Sequence, residues 1–520
     1  MGLLDRFRTR KQPARTAPRL RPVQLRSFGG AETTRLTADW LTHPETADAL
    51  VLRHQRVLVA RSREQARNND YARAFIRMVR QNVVGPSGII LQAQCLLPDG
   101  QMDAAANEAI EAAFSEWSRR ENCDVAGEKS LRAIEAQAME SCVTDGEFMI
   151  RKIWGRDAGK FGFALQVLDP QRVDVAHNDD APIGRPRGHF IRAGIERNAY
   201  GRAVAYYFSA DRDWQAYNYS SSQGDYLRVP ADEVIHGFLP EMVGQKRGLP
   251  WMATGLYRLK NLGGFEEAAL VNARVGASKM GLFRWRDGMG PRMDEDEQAN
   301  FQLDIEPGTF HVLPEGAELQ EWAPQFPSND YAPFSKAALR GIAAGFGVLY
   351  NNLANDLEGV NFSSIRQGTL DEREHWRELQ AWLTESLMQP IYDAWLRVAL
   401  LRGHVVVNGT PATADNLARY SRVLWQPRRW AWIDPRADIE AAISAKNQFL
   451  MSPGQIIRDQ GRDPSDVWRE IASDIAEMRG AGIPDEFIKS AVLGNNLQAT
   501  VQAEIAGAEG QNEGKNDDAT

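Results

Sequence analysis

The chain has 520 residues, of which 43% are hydrophobic and 25% charged, and its formal net charge is −8. At roughly 150 residues per domain, this length predicts two to four structural units. The hydrophobic content and the 14 tryptophans exclude a wholly disordered, collagen-like or coiled-coil chain. The acidic balance excludes a protein that coats nucleic acid through general basicity.

The cysteines and the N-terminal sequence bear on the compartment. Cys95, Cys123 and Cys142 form no C-x-x-C pair, which argues against a disulfide scaffold or a structural zinc site and predicts a reduced, intracellular setting. Residues 1–34 are rich in arginine and proline and lack the apolar segment of a signal peptide, which predicts a flexible basic arm. No segment reaches the ~18 consecutive apolar residues of a membrane span, so we expect no membrane anchoring.

Apolar spacing predicts an α+β region over residues 35–249. Three- and four-residue spacing predicts helices over 46–82, 102–119 and 131–143. Alternating or clustered apolar residues between turn formers predict strands at 88–95, 147–154, 161–168, 188–195, 203–209 and 234–238.

The second half of the chain is mostly helical in pattern. Residues 250–284 predict one long helix, which Gly263 and Gly264 could bend. Glycine and proline then mark a small β-rich insertion over 285–332, with strands at 309–313 and 318–322. A helix over 334–346 and a polar loop over 347–360 follow. A long helix capped by Asn361 or Ser363 runs to residue 402, with Pro390 bending or interrupting it. A helical tail starts at Asp434-Pro435, with further helix starts at Ser452-Pro453 and Asp463-Pro464.

Sequence signatures of several enzyme classes are missing. No two of the eight histidines lie four residues apart, as the paired ligands of a zinc-protease helix do. The two Gly-Lys pairs lack the flanking residues of a phosphate-binding loop. Ser278 lacks the glycine pattern of a nucleophile elbow. We therefore expect no catalytic residues, no metal and no cofactor.

Two groups of charged residues each leave two interpretations open. Asp145, Glu147, Asp169 and Asp174 could gather around two metal ions for phosphodiester chemistry, or could serve as turn formers. An arginine-rich stretch could bind phosphate, or could be a solvated helix face paired with acids. Its members are Arg53, Arg56, Arg61, Arg63, Arg67, Arg73, Arg77 and Arg80.

The order of elements and several short strings resemble the lambda-family bacteriophage portal proteins. The element order is long helix, small β insertion, helix, polar loop and long tryptophan-containing helix. The strings cover about residues 45–490 in order. They are Ala66-Arg67-Asn68-Asn69, Asn82-Val83-Val84-Gly85, Asp145-Gly146-Glu147, Leu168-Asp169-Pro170, Gly194-Ile195-Glu196, Val234-Ile235-His236, Gly244 to Pro250, and Asn361-Phe362-Ser363-Ser364. At Asn355-Asp356 the chain departs from the Gly-Asp expected in that family.

The resemblance implies an α+β, multidomain, portal-type architecture. The wing would comprise residues 35–249 and 403–434, and the stem 250–284 and 333–346. The clip would be 285–332, the tunnel loop 347–360 and the tunnel helix 361–402. A helical crown would cover 435–502, followed by a disordered tail over 503–520.

The resemblance also implies function. Such proteins form a ring, commonly of twelve subunits, at one capsid vertex of the virion, assembled in the host cytoplasm. Double-stranded DNA enters and leaves through it. Terminase, the major capsid and scaffold proteins, and the head-completion and tail connector proteins are the expected partners. Twelve helices of ~10 Å diameter place their centres on a circle ~38 Å across, which leaves ~28 Å for a duplex. An acidic conduit also avoids binding the polyanion that it conducts.

By the same resemblance, three groups of residues are candidate functional sites. The polar loop would face DNA through Asn351, Asn352, Asn355, Asp356, Glu358 and Asn361. The stem would line the channel through Arg258, Lys260, Arg274 and Lys279, unless these residues form ion pairs between subunits. The clip would face terminase through Arg284, Arg286, Asp287 and Arg292.

Two other functions compete with the portal interpretation. A metal-dependent nuclease would use the four carboxylates named above. Another ring-forming head-to-tail adaptor or interaction scaffold would share the assembly role, but such adaptors are usually far shorter than this chain.

Overall fold

A computed structural model of the chain describes residues 31, 35, 38–209, 226–277, 281–285, 317–321 and 331–488. The chain divides into two units, residues 1–46 and residues 47–520. In the first unit, the described residues 38–46 form turns and irregular backbone. Nearly all of the predicted basic arm, most of the predicted clip, the crown from residue 489 and the predicted disordered tail lie outside the described residues.

The predicted helix over 46–82 is wrong in one respect, because it is broken at Asn69. The Asn69 backbone is extended, with φ −120°, and its side chain accepts hydrogen bonds from the backbone N–H groups of Tyr71 and Ala72. Asparagine is a favoured N-cap because its side-chain oxygen satisfies N–H groups that a helix start leaves unpaired. The segments are α1 (Ala47–Asn68), α2 (Asp70–Val79) and a π-helical turn (Arg80–Val84).

Three further helices complete the N-terminal helical layer. They are α3 (Ala104–Trp117), α4 (Arg120–Cys123) and α5 (Leu131–Asp145). The predicted apolar face of α3 is confirmed, since Ile110, Phe114 and Trp117 are buried. The indole N–H of Trp117 donates to the carbonyl of Phe163 at 2.8 Å, so this large side chain is buried without an unpaired polar atom.

Eight strands follow the predicted pattern with two differences. They are β1 (Ile90–Ala93), β2 (Glu147–Trp154), β3 (Phe163–Leu168), β4 (Phe190–Arg192), β5 (Ile195–Arg197), β6 (Ala203–Ser209), β7 (Tyr226–Pro230) and β8 (Val234–Phe238). The prediction of one strand over 188–195 is wrong, because Ala193 and Gly194 both have positive φ and turn the chain into a hairpin. The other difference is β7, which was not predicted.

The strands form antiparallel sheets. One has the order β3-β2-β8 and the other β4-β5-β6-β7. Gly146 ends α5 in the left-handed conformation, with φ 88°, and β2 begins at the next residue. This is the Asp-Gly turn expected from the sequence.

The predicted stem helix over 250–284 is too long at both ends. Residues 250–255 form turns, and the helix α6 (Leu256–Ala277) continues through Gly263 and Gly264. The following strand β9 (Gly281–Trp285) pairs with β10 (Ala317–Glu321). Leucine, phenylalanine and tryptophan in that short segment favour a strand, and the helical pattern of the preceding residues does not continue into it. The second stem helix, α7, spans Tyr331–Phe346.

The polar loop contains a short helix that was not predicted. This helix, α8, spans Tyr350–Ala354. Asn361 caps α9 (Phe362–Leu383), because its side-chain oxygen accepts from the backbone N–H of Ser364 at 2.8 Å. A π-helical turn (Thr384–Met388) leads without a break into α10 (Gln389–Leu401), so Pro390, which has no N–H to donate, lies where the helix changes its hydrogen-bond pattern rather than ending the helix.

The C-terminal part joins the wing and then forms a helical region. Its elements are β11 (Val406–Val407), β12 (Thr410–Pro411), α11 (Leu417–Tyr420), β13 (Val423–Gln426), α12 (Pro435–Asn447), α13 (Pro453–Asp459) and α14 (Pro464–Gly480). The strand β13 pairs with β1, more than 300 residues earlier in the chain. Asp434, Ser452 and Asp463 cap the last three helices, which confirms the predicted starts.

One large buried cluster holds α2, α3, α5, α6, α7, α9 and α10 together. Trp117, Trp376 and Trp395 are at most 1% exposed within it. Phe346, at the end of α7, stacks on Phe75 of α2 with 4.5 Å between ring centroids. Burying each such side chain contributes on the order of 1.5–3 kcal/mol. Among the described helices, none is long and apolar enough to cross a membrane.

Candidate functional site

The polar loop closes around the side chain of Asp356. Its Oδ2 accepts from the hydroxyl of Tyr350 at 2.7 Å and lies 3.1 Å from Lys336 Nζ on α7, while its Oδ1 accepts from the backbone N–H of Glu358 at 3.0 Å. Asn351 Nδ2 donates to the Asp356 carbonyl at 2.7 Å. The Tyr350 hydrogen bond, with those of Glu358 and Lys336, lowers the pKa of Asp356 to about 2. This carboxylate is therefore ionised at neutral pH.

A second anchor ties the loop to α9. Glu372 accepts the backbone N–H of Leu349 at 3.2 Å and a hydrogen bond from Asn352 Nδ2. Burial raises the pKa of Glu372, although these two hydrogen bonds oppose the shift. Asn355 ends α8 in the left-handed conformation, with φ 51°, which asparagine adopts more readily than most residues.

The predicted DNA-facing residues therefore differ in what they can do. Asn351, Asn352 and Asp356 use polar atoms to hold the loop together, and Asn361 caps α9. Asn355 is exposed and sets the turn. The Glu358 side chain is 85% exposed and has only Lys336, at 3.4 Å, as an ionic partner among the described residues. Glu358 is therefore the acidic side chain of this loop that is most accessible to another molecule.

The candidate stem residues lie on or beyond α6. Lys260 Nζ is 3.6 Å from Glu64 Oε1, and both side chains are largely exposed. The Arg258 guanidinium lies against Gly341 of α7, where a Cβ would meet it at 1.9 Å. Arg274 is exposed near the end of α6. Lys279 lies outside the described residues, and which of these side chains line a channel stays a prediction.

The candidate clip residues are mostly outside the described part of the chain. Arg284 lies in β9, opposite Glu318 in β10. Arg286, Asp287 and Arg292 fall outside the described residues. A terminase-facing role for these residues stays a prediction.

Arg63 binds two of the four carboxylates considered for metal binding. Arg63 Nε is 2.7 Å from Asp145 Oδ1, and its Nη2 lies 2.8 Å from Asp145 Oδ2 and 2.7 Å from Asp169 Oδ1. Asp174 accepts the backbone N–H of Ala176 at 2.9 Å. In the part of the chain that the structure describes, no three His, Cys, Asp or Glu side chains gather as ligands for a metal ion.

The fourth carboxylate, Glu147, is the centre of a buried network. We call Glu147, Arg247, His236, Gln55 and Gly248 the Glu147 network. The guanidinium donates to Glu147 Oε1 at 2.6 and 2.8 Å, and its other N–H groups reach three backbone carbonyls at 2.8–2.9 Å. The Gln55 amide, the His236 ring and the Gly248 N–H meet the same carboxylate at 2.9–3.0 Å. The side chains of the ion pair are 0% exposed.

These contacts determine the protonation states of Glu147 and His236. Burial alone would raise the pKa of Glu147, but the charge of Arg247 and the hydrogen bond from His236 lower it to about 2. Burial lowers the pKa of His236, so its ring is neutral at neutral pH. Its Nε2–H then donates to Glu147, which leaves Nδ1 to accept from the hydroxyl of Tyr206. The network has a structural role, because the Glu147 carboxylate and the Arg247 guanidinium make all their contacts within the protein; the buried Gln55 Oε1 is the one side-chain oxygen of the network without a hydrogen-bond partner.

Sequence reasoning missed the residues that organise both sites. Lys336 and Glu372 hold the polar loop but were not singled out, and Arg247 is separated from Glu147 by 100 positions. Arg247 does lie in the string 244–250 that carried the family resemblance. No local spacing indicates that it pairs with Glu147.

Some arginines of the arginine-rich stretch pair with acids, as one interpretation predicted, and others do not. Arg63 pairs with acids as described, and Arg80 Nη1 lies 3.5 Å from Glu140 Oε2. Arg73 and Arg77 are exposed on α2 and have no carboxylate within ion-pairing distance in the described part of the chain.

Comparison with known proteins gives a consistent result along the chain. Residues 33–380 match the family model described as phage portal protein, lambda family. The chain is similar to the probable portal protein of Halomonas phage phiHAP-1, with 34% identity over 486 residues that cover 92% of this chain and 91% of the relative. It is 22% identical to portal protein B of Escherichia phage lambda over 511 residues, covering 92% and 94% of the two chains.

Solved structures show a more distant likeness. A chain in the neck of an empty GTA particle, computed with C6 symmetry, aligns with a TM-score of 0.42 and 14% identity, covering 79% of this chain and 95% of that one. A chain in the virion of a native gene transfer agent particle aligns with a TM-score of 0.40 and 13% identity, covering 82% and 95%.

Proposed function

This chain belongs to the lambda family of phage portal proteins, and we propose that its subunits assemble into a ring, of about twelve copies, that conducts double-stranded DNA through one vertex of the capsid. In this proposal the ring docks terminase during packaging and head-completion or tail connector proteins afterwards. Major capsid and scaffold proteins surround it in the virion, after assembly in the host cytoplasm.

The observation that carries the proposal is the construction of the polar loop. Its base is fixed by Lys336, Asp356 and Glu372, and its acidic Glu358 side chain is 85% exposed. An exposed carboxylate on a loop with a fixed position repels phosphate, so a duplex can pass without being retained. A loop with this role needs a defined position and little affinity for DNA; the anchors support the first and the exposed acid supports the second.

Exposed apolar side chains support assembly. On α6, Tyr257 and Leu270 are 80% and 71% exposed, and Val271 is 52% exposed. In the helical C-terminal region, Phe449 and Leu450 are 96% and 73% exposed. Side chains of this size at the surface mark interaction sites when they cluster. In the ring, the neighbouring subunits would cover them.

The two competing functions are less well supported. A nuclease needs carboxylates that are open to metal ions, and arginine occupies three of the four candidates, Asp145, Glu147 and Asp169. A short head-to-tail adaptor does not fit relatives that match this chain over nearly its whole length and are portal proteins.

Mass photometry of the purified full chain, followed by end-on electron micrographs, tests the proposal. We expect a species near twelve times the 58.1 kDa chain mass, with a central hole. The variant Leu270→Asp places a charge in the exposed apolar face of α6 and should shift the population toward small species while circular dichroism stays unchanged. Leu270→Met keeps the apolar surface and should assemble like the unmodified chain. A chain that stays monomeric at every concentration contradicts the proposal.

A further inference from the structure

A groove of about 840 Å³ lies between α2, α5 and the segment that follows β13. Guanidinium groups dominate its lining, and Glu140 is the one carboxylate among the lining residues described. The five arginines are Arg73, Arg77, Arg80, Arg132 and Arg428. On a chain whose formal net charge is −8, this is a local concentration of positive charge. We call it the arginine groove.

Most of these charges have no acidic partner. The one ion pair is Arg80 with Glu140, at 3.5 Å between half-exposed side chains, and such pairs contribute little. Arg428 donates to the Asn82 side-chain oxygen at 3.1 Å, which is a neutral partner. No described carboxylate lies within ion-pairing distance of Arg73, Arg77 or Arg132. The groove therefore carries positive charge that the chain itself does not neutralise.

The position of these arginines on α2 is defined by the core beneath it. Phe75, Ile76 and Val79 are at most 5% exposed, so the opposite face of α2 presents Arg73 and Arg77 to solvent. Two like charges four residues apart on a helix repel each other and destabilise it. A bound anion would remove this repulsion, because it would neutralise both charges.

The positive surface continues beyond the groove onto α9. Arg373 and Arg377 lie over the ring of Trp430, with 5.7 and 6.0 Å to its centroid. Burial lowers the pKa of Arg373, and the charges of Arg377 and Arg428 lower it further. Arg373 therefore extends the positive surface of the groove onto α9, whereas the charge of Arg377 is paired with Glu374.

The lining distinguishes a nucleic acid from a protein partner. Ile76 and Ala136, which line the groove, are only 5% and 6% exposed, so Pro86 is the one exposed apolar side chain among the lining residues described. Protein interfaces are usually held by apolar or aromatic anchors at their centre, whereas nucleic-acid interfaces are more polar and strongly positive. The guanidinium fork also matches the oxygens of a phosphate group.

We propose that the arginine groove binds the phosphate backbone of nucleic acid, at a site separate from the polar loop. The residues that line the groove include none of the polar loop. The proposal does not depend on ring assembly, because every residue that lines the groove belongs to one chain.

The test compares two triple variants of the full chain. Arg73→Gln/Arg77→Gln/Arg132→Gln removes three unpaired charges from the groove. Arg436→Gln/Arg462→Gln/Arg479→Gln removes the same charge from exposed arginines of α12, of the α13–α14 loop and of α14, which have acidic partners in their own region. Binding of a short fluorescent duplex is measured by anisotropy over a series of salt concentrations.

We expect the groove variant to bind at least about tenfold more weakly at low salt. The slope of log affinity against log salt should fall by about 2.7, for three lost phosphate contacts. The control variant should bind like the unmodified chain. Equal affinity of the groove variant and the unmodified chain overturns the proposal.

A second measurement locates the contact and separates phosphate from carboxylate. Bound duplex should protect Arg73, Arg77 and Arg132 from modification by phenylglyoxal, while Arg436 stays reactive. Absence of this protection overturns the proposal. A polyglutamate peptide of equal charge should compete weakly. If the peptide binds more tightly than the duplex and protects the same arginines, the groove takes an acidic protein segment, and the nucleic-acid assignment is wrong.

Discussion

The Glu147 network and the polar loop use the same kinds of charged residue in opposite surroundings. In the Glu147 network, the carboxylate and Arg247 are 0% exposed, and the charges of both are matched by ionic and hydrogen-bond partners. In the polar loop, Lys336 is 37% exposed and Glu358 is 85% exposed. A buried ion pair must be complete, because an uncompensated charge inside a protein is costly. An exposed pair is weak and leaves its charges available to a partner.

The comparison predicts its largest effect at Arg247. The substitution Arg247→Met removes the cation and leaves Glu147 buried without it, so the free energy of unfolding should fall by about 3–5 kcal/mol. Urea denaturation of the full chain measures this change. The double variant Glu147→Gln/Arg247→Met removes both charges and should recover roughly half of the loss or more. A loss below about 1 kcal/mol would contradict a structural role for this pair.

The next-largest effect on stability is expected at Gly248, where two backbone segments of the Glu147 network lie close together. A Cβ at Gly248 would lie 2.0 Å from the Gly146 carbonyl oxygen, so Gly248→Ala forces the backbone apart. We expect a loss of about 3 kcal/mol, as for overpacked interiors. The matched control is Gly264→Ala, at an open helical position where nothing lies within 4 Å of the new Cβ. It should stabilise the chain by about 0.5–1 kcal/mol. Equal effects of the two substitutions would show that the close approach is not real.

A buried carboxylate that has no ion-pair partner among the described residues sharpens the comparison, although the charge of Arg132 acts on it from a greater distance. Glu135 accepts the backbone N–H of Ile89 at 3.0 Å, and burial raises its pKa from 4.5 to about 8. The folded chain then binds more protons than the unfolded chain between these pH values, so stability falls as pH rises from about 4.5 to 8. Glu147 has the opposite sign, because its folded pKa of about 2 makes its contribution disappear as pH falls below 4.5.

The substitution Glu135→Gln tests this contrast. Glutamine keeps an acceptor for Ile89 without a titrating group, so the variant should be about 2 kcal/mol more stable at pH 8 and should lose part of the decline between pH 4.5 and 8. Denaturation midpoints across that range provide the measurement. A parallel pH profile for the variant and the unmodified chain would mean that Glu135 is not the group responsible.

The smallest effect on stability is expected at Glu358, the exposed acid of the polar loop. Glu358→Gln removes one partner of an ion pair that is mostly in water, so the change should stay within about 0.5 kcal/mol. Thermal unfolding of Glu358→Gln and Arg247→Met, measured side by side, compares the smallest and the largest expected loss of stability. A loss comparable with that of Arg247→Met would mean that Glu358 is a structural residue.

Local chemistry could be predicted from the sequence. Asn361, Asp434, Ser452 and Asp463 cap the helices that they were expected to start, since a cap depends on residues three or four positions away. The start of β2 followed from the Asp-Gly turn before it. The strings that indicated the portal family were confirmed by a match over residues 33–380.

Pairings over long separations could not be predicted in this way. The contact of Glu147 with Arg247 and that of β1 with β13 depend on the complete fold. The strand β9 was taken for helix because its pairing with β10 decides between the two, and the sequence between them gives no register. In the polar loop, the helix α8 was missed because it is only five residues long. The DNA-facing residues stay predictions.

DNA packaging with rings built from Glu358→Lys subunits tests the central claim most directly. Lysine at this exposed position replaces repulsion of phosphate with attraction and leaves the anchors Asp356 and Glu372 intact. We predict rings of normal size that package DNA more slowly or stall with DNA inside, while Glu358→Gln rings package nearly normally. Packaging by the lysine variant at the rate of the unmodified ring would contradict a DNA-facing polar loop.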